Sequence, residues 1–299
     1  MSTIEDTMYS KNNLDKMNHL RGDKALHDVL STDGNKIYLL TFDSHLIVKK
    51  GDDAHCFFSH DDITSLMDGH EHRIFLGAKG NDYYFALSLS DFNHEAYSLF
   101  NAKEYAMRHV RPDDEMGVIG QAISILNWNK RHTFCGQCGG LTQSTCNGWR
   151  RDCLHCNVQH FPRVDSVVIM LVTRGDCCLL GSGTDFSDKR YSCLAGFMEP
   201  GETIEAAAAR ELYEEAGIQG GVARYMTSQP WPFPYSLMIG VHIETNQETI
   251  TLDKEELKDA QWVRKSDVKA VLGGDTSRGF TLPPDVAIAH TLLMHWVNH

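Results

Sequence analysis

Gly196-Phe-Met-Glu-Pro-Gly-Glu202-Thr-Ile-Glu-Ala-Ala-Ala-Ala-Arg210-Glu211-Leu-Tyr-Glu214-Glu215-Ala-Gly217-Ile218 is a loop that turns into a helix and stops. Pro200-Gly201 makes the turn, Thr203 is placed to cap, four consecutive alanines favour helix, and Gly217 is placed to end it. The spacing predicts a helix from Ile204 to Ala216. On it Glu211, Glu214 and Glu215 fall at i, i+3 and i+4, so three carboxylates leave one face. Like charges that close destabilise one another unless a cation sits among them, and hard oxygen-seeking ions such as Mg²⁺ or Mn²⁺ suit carboxylates. Alone, an E-x-x-E-E pattern reads as a solvated acidic face. Arg210 reads either as an exposed helix cation or, beside these acids, as the partner that orients them.

Outward from this stretch the composition is that of a soluble globular protein, with 42% hydrophobic and 23% charged residues. No apolar run reaches the roughly 20 residues of a membrane helix. The polar, acidic start Met1–Asp6 does not resemble a secretory signal or an Arg-rich transit peptide, and the ending Val297-Asn298-His299 is not the common peroxisomal tripeptide. An intracellular, by default cytoplasmic, location is expected, with an organelle such as a peroxisome or mitochondrion left open. The net charge of -12 argues against an extensive nucleic-acid surface and leaves room for a local basic patch. An acidic protein acting on an anion needs bound cations to bring the two together.

Two C-x-x-C pairs, Cys135/Cys138 and Cys153/Cys156, stand fourteen residues apart. That spacing predicts a four-cysteine zinc ribbon with a closed, structural site. A thioredoxin-type redox site would need one such pair on a helix, not two on glycine-bearing turns. Phe134, Trp149 and Phe161 flank the ribbon, Cys146 is a bystander, and Cys177-Cys178 read as small buried hydrophobes.

The chain divides by composition into an N-terminal α+β domain over 1–131, the ribbon over 132–162 and a C-terminal domain over 163–299. Residues 1–36 are polar and aperiodic enough for partial disorder. Strands are expected at Lys36–Val48, Arg73–Gly77 and Tyr83–Leu89, then helices at Glu95–Val110 and Asp114–Trp128. His70-Glu71-His72 reads as polar surface rather than a metal site. In the C-terminal part, Val167–Val172 is a continuous apolar run suited to a buried strand, with further strands at Cys178–Leu180, Tyr191–Leu194, Val222–Thr227 and Leu237–Ile243. Asp253–Asp259 reads as a short acidic helix leading into a strand, and Pro283-Pro284-Asp285 starts the last helix, with Asp285 as cap. Ser228–Ser236 holds three prolines within five residues and is expected to be irregular. Its Trp231 and Phe233 either stack on a flat ligand or pack inside a crossing loop.

The quoted stretch has the form G-x5-E-x7-R-E-U-x-E-E-x-G-U with every fixed position filled. It resembles the Nudix box, and zinc ribbon, box and Ser-Gln-Pro-Trp-Pro-Phe-Pro in that order resemble the NADH pyrophosphatase (NAD-capped RNA hydrolase) subgroup. The resemblance implies a C-terminal α/β/α sandwich with a mixed sheet, and hydrolysis of the pyrophosphate of NADH and NAD⁺ to nicotinamide mononucleotide and AMP. It assigns Glu211, Glu215 and Glu256, with Glu214 and the Ala195 carbonyl, to Mg²⁺ or Mn²⁺. It assigns substrate contacts to Phe161, Gln229, Pro230, Trp231, Pro232, Phe233, Pro234, Tyr235, Ser236 and Ala287. A homodimer is implied by the same analogy. Removal of NAD caps from RNA 5′ ends, or cleavage of another dinucleotide such as ADP-ribose, are alternatives, as is a nucleotide-sensing module without catalysis.

Overall fold

A computed structural model of the chain describes residues 6–22, 24, 34–52, 54–64, 73–91, 95–108, 112–184 and 189–299. The expected three parts group into two compact units. One comprises residues 1–10, 165–230 and 236–299; the other comprises 11–164 and 231–235. The ribbon joins the N-terminal part because it is fastened to it: Trp149 Nε1 donates to the Phe75 carbonyl at 2.6 Å, and Asn129 donates to the Gly148 carbonyl at 2.8 Å. Gly148 lies against Ile74 at a φ of 92°, leaving no room for a side chain.

In the N-terminal unit the strands are β1 (Asn35–Phe42), β2 (His45–Lys49), β3 (Phe57–Ser59), β4 (Ile74–Lys79), β5 (Asp82–Ser88) and β6 (Tyr97–Phe100). They form a sheet of order β4-β5-β1-β2-β6, with β3 on β1. Helices α1 (His60–Ile63), α2 (Ala102–Ala106) and α3 (Asp113–Arg131) accompany it, and Tyr38, Leu40, Phe58, Phe75 and Phe85 fill its core. The ribbon carries β7 (Thr142–Thr145), β8 (Arg150–Cys153) and β9 (Gln159–His160).

Several expectations change here. Lys36–Val48 is a hairpin, not one strand, because Asp43 and Ser44 both take positive φ, 45° and 67°, and turn the chain back. Glu95–Val110 is not one helix: Tyr97–Phe100 pairs with β2, and Asn101 then caps the short α2 through the Lys103 amide. Sheet pairing overrode the helical period there. Residues 6–22 are tied down in places, with Asp15 bridging to Ala78 and Asn12 donating to Gln121 at 2.6 Å. His70-Glu71-His72 lies outside the described residues.

The C-terminal unit holds β10 (Asp165–Arg174), β11 (Cys177–Gly183), β12 (Leu194–Phe197), β13 (Arg224–Trp231), β14 (Ser236–Glu244) and β15 (Leu257–Arg264), with α4 (Ile204–Ala216), α5 (Lys265–Leu272) and α6 (Ile288–Asn298). The sheet order is β13-β14-β10-β11-β15, with β12 on β10. It is mixed: β10 runs parallel to β14 and antiparallel to β11 and β12. The expected sandwich is present. Val168, Met170 and Val172 pack with Ala207, Ala208, Leu212 and Ala216 of α4, while Ile169 and Leu171 pack with Leu292, Leu293 and Trp296 of α6. Both faces of β10 are covered, so its sequence is a continuous apolar run rather than an alternation.

Three C-terminal expectations are also corrected. β13 continues as strand through Ser228-Gln229-Pro230 to Trp231, which proline permits because β13 is an edge strand. Residues 254–256 are a turn rather than a helix, and β15 starts at Leu257 against β11. The last helix begins at Ile288 with Ala287, not Asp285, in the cap position.

The two units share one sheet plan, down to register. Asn35 pairs with Asp82 and Ile37 with Ser59, as Asp165 pairs with Ser236 and Val167 with Phe197. By this register Phe58, which faces Tyr38, takes the place that Gly196 takes facing Val168.

Candidate active site

Helix α4 forms as its sequence requires. The Thr203 hydroxyl accepts from the Ala206 amide at 3.2 Å, and Gly217 closes the helix at a φ of 65°. Its apolar face is buried against the sheet, which turns Glu211 and Glu215 inward beside β12. They are only 8% and 6% exposed. Gly196 on β12 makes this possible: a Cβ there would sit 1.9 Å from Glu211 Cδ. The box begins with glycine because the carboxyl group of Glu211 fills the volume of its missing side chain.

Arg210 organises the acids. Its guanidinium donates to both oxygens of Glu202 at 2.7 and 3.0 Å, to Glu211 at 2.8 Å, to Glu214 at 2.8 Å and to the Phe197 carbonyl at 2.9 Å. Arg210 is thereby held more firmly protonated than an ordinary arginine, first by the hydrogen bonds to Glu202. Glu202, with Arg210 and the Glu199 amide at 2.8 Å, has its carboxyl held down to about 2. Fork-on-carboxylate bonding of this kind fixes orientation as well as charge. Of the two readings of Arg210, these hydrogen bonds are those of a partner to the acids rather than of a solvated helix cation. Glu202 was missed as a structural partner, although its fixed place in the box was the signal.

Glu215 lies beyond Arg210's reach. Its Oε2 is buried with no hydrogen-bond partner. Burial, then the charges of Glu211, Glu256 and Glu214, push its carboxyl up to about 8. Burial likewise raises Glu211 against the pull of Arg210, with Glu214 and Glu256 adding to the rise. Glu256, on the turn before β15, thus faces the same cluster from another element, and Ala195 is the β12 residue before Gly196. A buried carboxylate oxygen without a donor, among acids that repel it, fits a cation-binding site.

The other predicted residues divide between the units. Gln229 is 1% exposed, and its carboxamide donates to the carbonyls of Met8 at 3.1 Å and Val286 at 3.0 Å and accepts from the Ile288 amide at 2.7 Å. Its carboxamide thereby brackets Ala287 from both sides. Pro230 is the last but one residue of β13, and Ser236 begins β14. Trp231–Tyr235 belongs to the N-terminal unit, as does Phe161, which is 63% exposed. There Trp231 and Phe233 meet edge to face at 5.1 Å, with Pro232 between them, and the Phe233–Pro234 peptide is cis. Asn127 donates to the Pro234 carbonyl at 3.3 Å, and Tyr235 is buried.

The ribbon cysteines converge. The four Sγ atoms of Cys135, Cys138, Cys153 and Cys156 lie within 4.8 Å of one another, with contacts of 3.5 and 3.7 Å. A tetrahedral ion with metal–sulfur bonds of about 2.3 Å places sulfurs at this separation, so the set fits zinc. The Cys156 and His155 amides, each 3.4 Å from Cys153 Sγ, lower that thiol below its ordinary range. His160 Nε2 stands 3.3 Å from Cys135 Sγ. No cysteine is in a disulfide.

Residues 162–281 match the NUDIX domain, and residues 35–128 match an NADH pyrophosphatase-like rudimentary NUDIX domain. NAD-capped RNA hydrolase NudC of Escherichia coli O157:H7 is 33% identical over 214 residues, covering 70% of this chain and 79% of that protein. This chain belongs to the Nudix family. The NAD-capped RNA hydrolase NUDT12 of Homo sapiens is 40% identical over 231 residues, or 72% of this Nudix chain. Nudix hydrolase 19, chloroplastic, of Arabidopsis thaliana is 42% identical over 232 residues, or 63% of it. The chain spans about half the length of these two relatives. The rudimentary domain explains the shared register of the two sheets, which no sequence repeat betrayed. In this Nudix chain's first copy, Phe58 stands at the register position that Gly196 holds in the second, and residues 60–73 of the sequence contain one glutamate, Glu71. Among the described residues no helix is long and apolar enough to cross a membrane.

Proposed function

We propose that the chain hydrolyses the pyrophosphate of NADH, and of NAD⁺, to nicotinamide mononucleotide and AMP. The observation that carries this is the unpartnered, buried Glu215 oxygen within a complete Nudix box, in a chain that also holds Ser-Gln-Pro-Trp-Pro-Phe-Pro at the end of β13. Glu211, Glu215 and Glu256, with Glu214 and the Ala195 carbonyl, would hold Mg²⁺ or Mn²⁺. Such ions neutralise the diphosphate and acidify a bound water. Arg210 keeps Glu211 and Glu214 aimed and Gly196 gives Glu211 its place, while Trp231, Phe233 and Phe161 offer flat apolar faces to the nucleotide rings. The four cysteines hold structural zinc.

The names of the relatives favour a second substrate containing the same bond, an NAD-capped RNA 5′ end. The reading places the protein inside the cell, where reduced cysteines persist, and its copy number, a dimer by analogy, is read by sedimentation. Purified protein incubated with NADH, NAD⁺, ADP-ribose and a short NAD-capped RNA, with Mg²⁺ or Mn²⁺, tests the proposal. AMP and reduced nicotinamide mononucleotide, absent with Glu215→Gln, are the expected products. Nucleotide binding without cleavage of any substrate would replace catalysis by sensing.

A further inference from the structure

Thr7-Met8-Tyr9-Ser10 carries no hydrophobic period, yet Thr7 and Tyr9 are buried, 8% and 3% exposed. The four residues close on themselves. The Ser10 amide and hydroxyl donate to the Thr7 carbonyl at 3.1 and 2.6 Å, and the Thr7 amide donates to Ser10 Oγ at 3.1 Å. Tyr9 takes a φ of 66°, a conformation that a bulky side chain keeps only where its surroundings fix it. The turn belongs to the C-terminal unit and is tied there to β13. Thr7 Oγ1 donates to the Ser228 carbonyl at 2.9 Å, and Gln229 Nε2 donates to the Met8 carbonyl at 3.1 Å. Consecutive residues of the turn thus hold consecutive residues of an edge strand, which has a neighbouring strand on one side only.

Ser228 and Gln229 open the Ser-Gln-Pro-Trp-Pro-Phe-Pro element. A carboxamide nitrogen carries two hydrogens, and the last torsion of a glutamine side chain is soft. Val286 accepts one of those hydrogens at 3.0 Å and Met8 the other, while the Ile288 amide donates to the carboxamide oxygen. The Met8 carbonyl therefore completes the set that holds Gln229 beside Ala287, and Thr7 sets where that carbonyl stands relative to β13. We propose that the Thr7–Ser10 turn is a positioning element of the substrate strand, acting through Ser228 and Gln229 on the backbone at Ala287. The inference rests on the assignment of Gln229 and Ala287 to substrate contact. The turn fixes groups that bind, and order established in advance lowers the cost of binding.

The test is steady-state hydrolysis of NADH with Mg²⁺ by wild type, Thr7→Val, Thr7→Ser and Ser10→Ala, well below their melting temperatures. Thr7→Val keeps the side-chain volume and removes the donor to Ser228, whereas Ser10→Ala opens the turn from its far end without altering a contact to β13. Thr7→Val and Ser10→Ala should each raise KM for NADH about fivefold, the worth of one hydrogen bond, and leave kcat within about twofold. Thr7→Ser, which retains the hydroxyl, should recover most of the wild-type KM. An unchanged KM beside a lowered melting temperature would make the turn structural only and overturn the proposal, as would a fall in kcat at constant KM or no recovery by Thr7→Ser. Calorimetric titration of NAD⁺ into Glu215→Gln protein, with and without Thr7→Val, reads the same loss as a Kd ratio. If wild type cleaves no dinucleotide, the hydrolase reading has failed and that ratio decides the turn by itself: about five sustains it and about one overturns it. Absence of NAD⁺ binding altogether overturns both.

Discussion

Gly196 and Glu211 occupy one volume: the carboxyl group of Glu211 stands where a side chain on residue 196 would be, 1.9 Å from an added Cβ. Gly196→Ala therefore has to displace a buried carboxylate against β12. Overpacking of this sort costs about 1–3 kcal/mol, and here it also moves a proposed metal ligand. We expect the melting temperature to drop by several degrees and hydrolysis to fall by at least about tenfold. Gly22→Ala, where an added Cβ meets nothing within 4 Å, should change neither. Equal behaviour of the two variants in thermal unfolding and turnover would refute the role given to Gly196.

Glu215 links stability to pH with a definite sign. Its folded carboxyl is pushed up to about 8 from an ordinary value of 4.5, so the folded chain binds the proton more tightly than the unfolded one. The stability this confers is full below 4.5 and is lost as pH rises through 8. Without added divalent ions, wild type should lose on the order of 2 kcal/mol across that window relative to Glu215→Gln, whose amide does not titrate. With Mn²⁺ present the trend should invert, because the ion displaces the proton and binds more tightly at higher pH. Melting curves at pH 5 and pH 8.5, with and without Mn²⁺, read both effects; parallel curves for the two proteins would contradict the assignment.

Gln229 holds three backbone groups from two separate segments. Gln229→Ala strands the Ile288 amide and the Met8 and Val286 carbonyls in a buried setting, a loss of about 2–4 kcal/mol at roughly 1 kcal/mol or more for each unmet group. Gln229→Glu keeps the acceptor for Ile288 but sets a buried carboxyl against the Met8 and Val286 carbonyls, so it should be at least as destabilising as Ala in chemical denaturation, and more so as pH rises and the carboxyl ionises. Because the clasp brackets Ala287, substrate KM should rise more than kcat falls. A kcat effect alone would mean that Gln229 acts in the chemistry.

The ribbon should contain one zinc ion per chain. Cys153→Ser removes the thiolate that the His155 and Cys156 amides stabilise, and metal analysis should then show little zinc. Proteolysis within 132–162 should accelerate in that variant. Full zinc content in Cys153→Ser would exclude the four-sulfur site.

Much of this site was legible because its chemistry is local. The box helix lies at its expected bounds, since Thr203, four alanines and Gly217 act within one or two turns. The cysteine pairs were legible because tetrahedral sulfur ligation demands short, repeated spacing. The continuous apolar run of β10 announced a strand covered on both faces. Where the reading failed, a distant partner decided: β2 drew Tyr97–Phe100 into strand, β11 drew Leu257 into a ladder, and an edge position let Pro230 remain in β13.

By itself the sequence determined the face of three glutamates on one helix and the zinc-fitting ligand set, each written in residues within a few positions of one another, while the mixed-sheet class came with the resemblance of the whole box to its family. Only the tertiary structure decided that Glu215 is left buried without a donor, that Gln229 clasps Ala287's neighbours across 57 and 59 residues, and that the N-terminal sheet repeats the register of the C-terminal one with Phe58 in place of glycine. These depend on which atoms a folded chain brings together from far apart. Hydrogen-bond satisfaction and close packing set those pairings, and no local pattern records them.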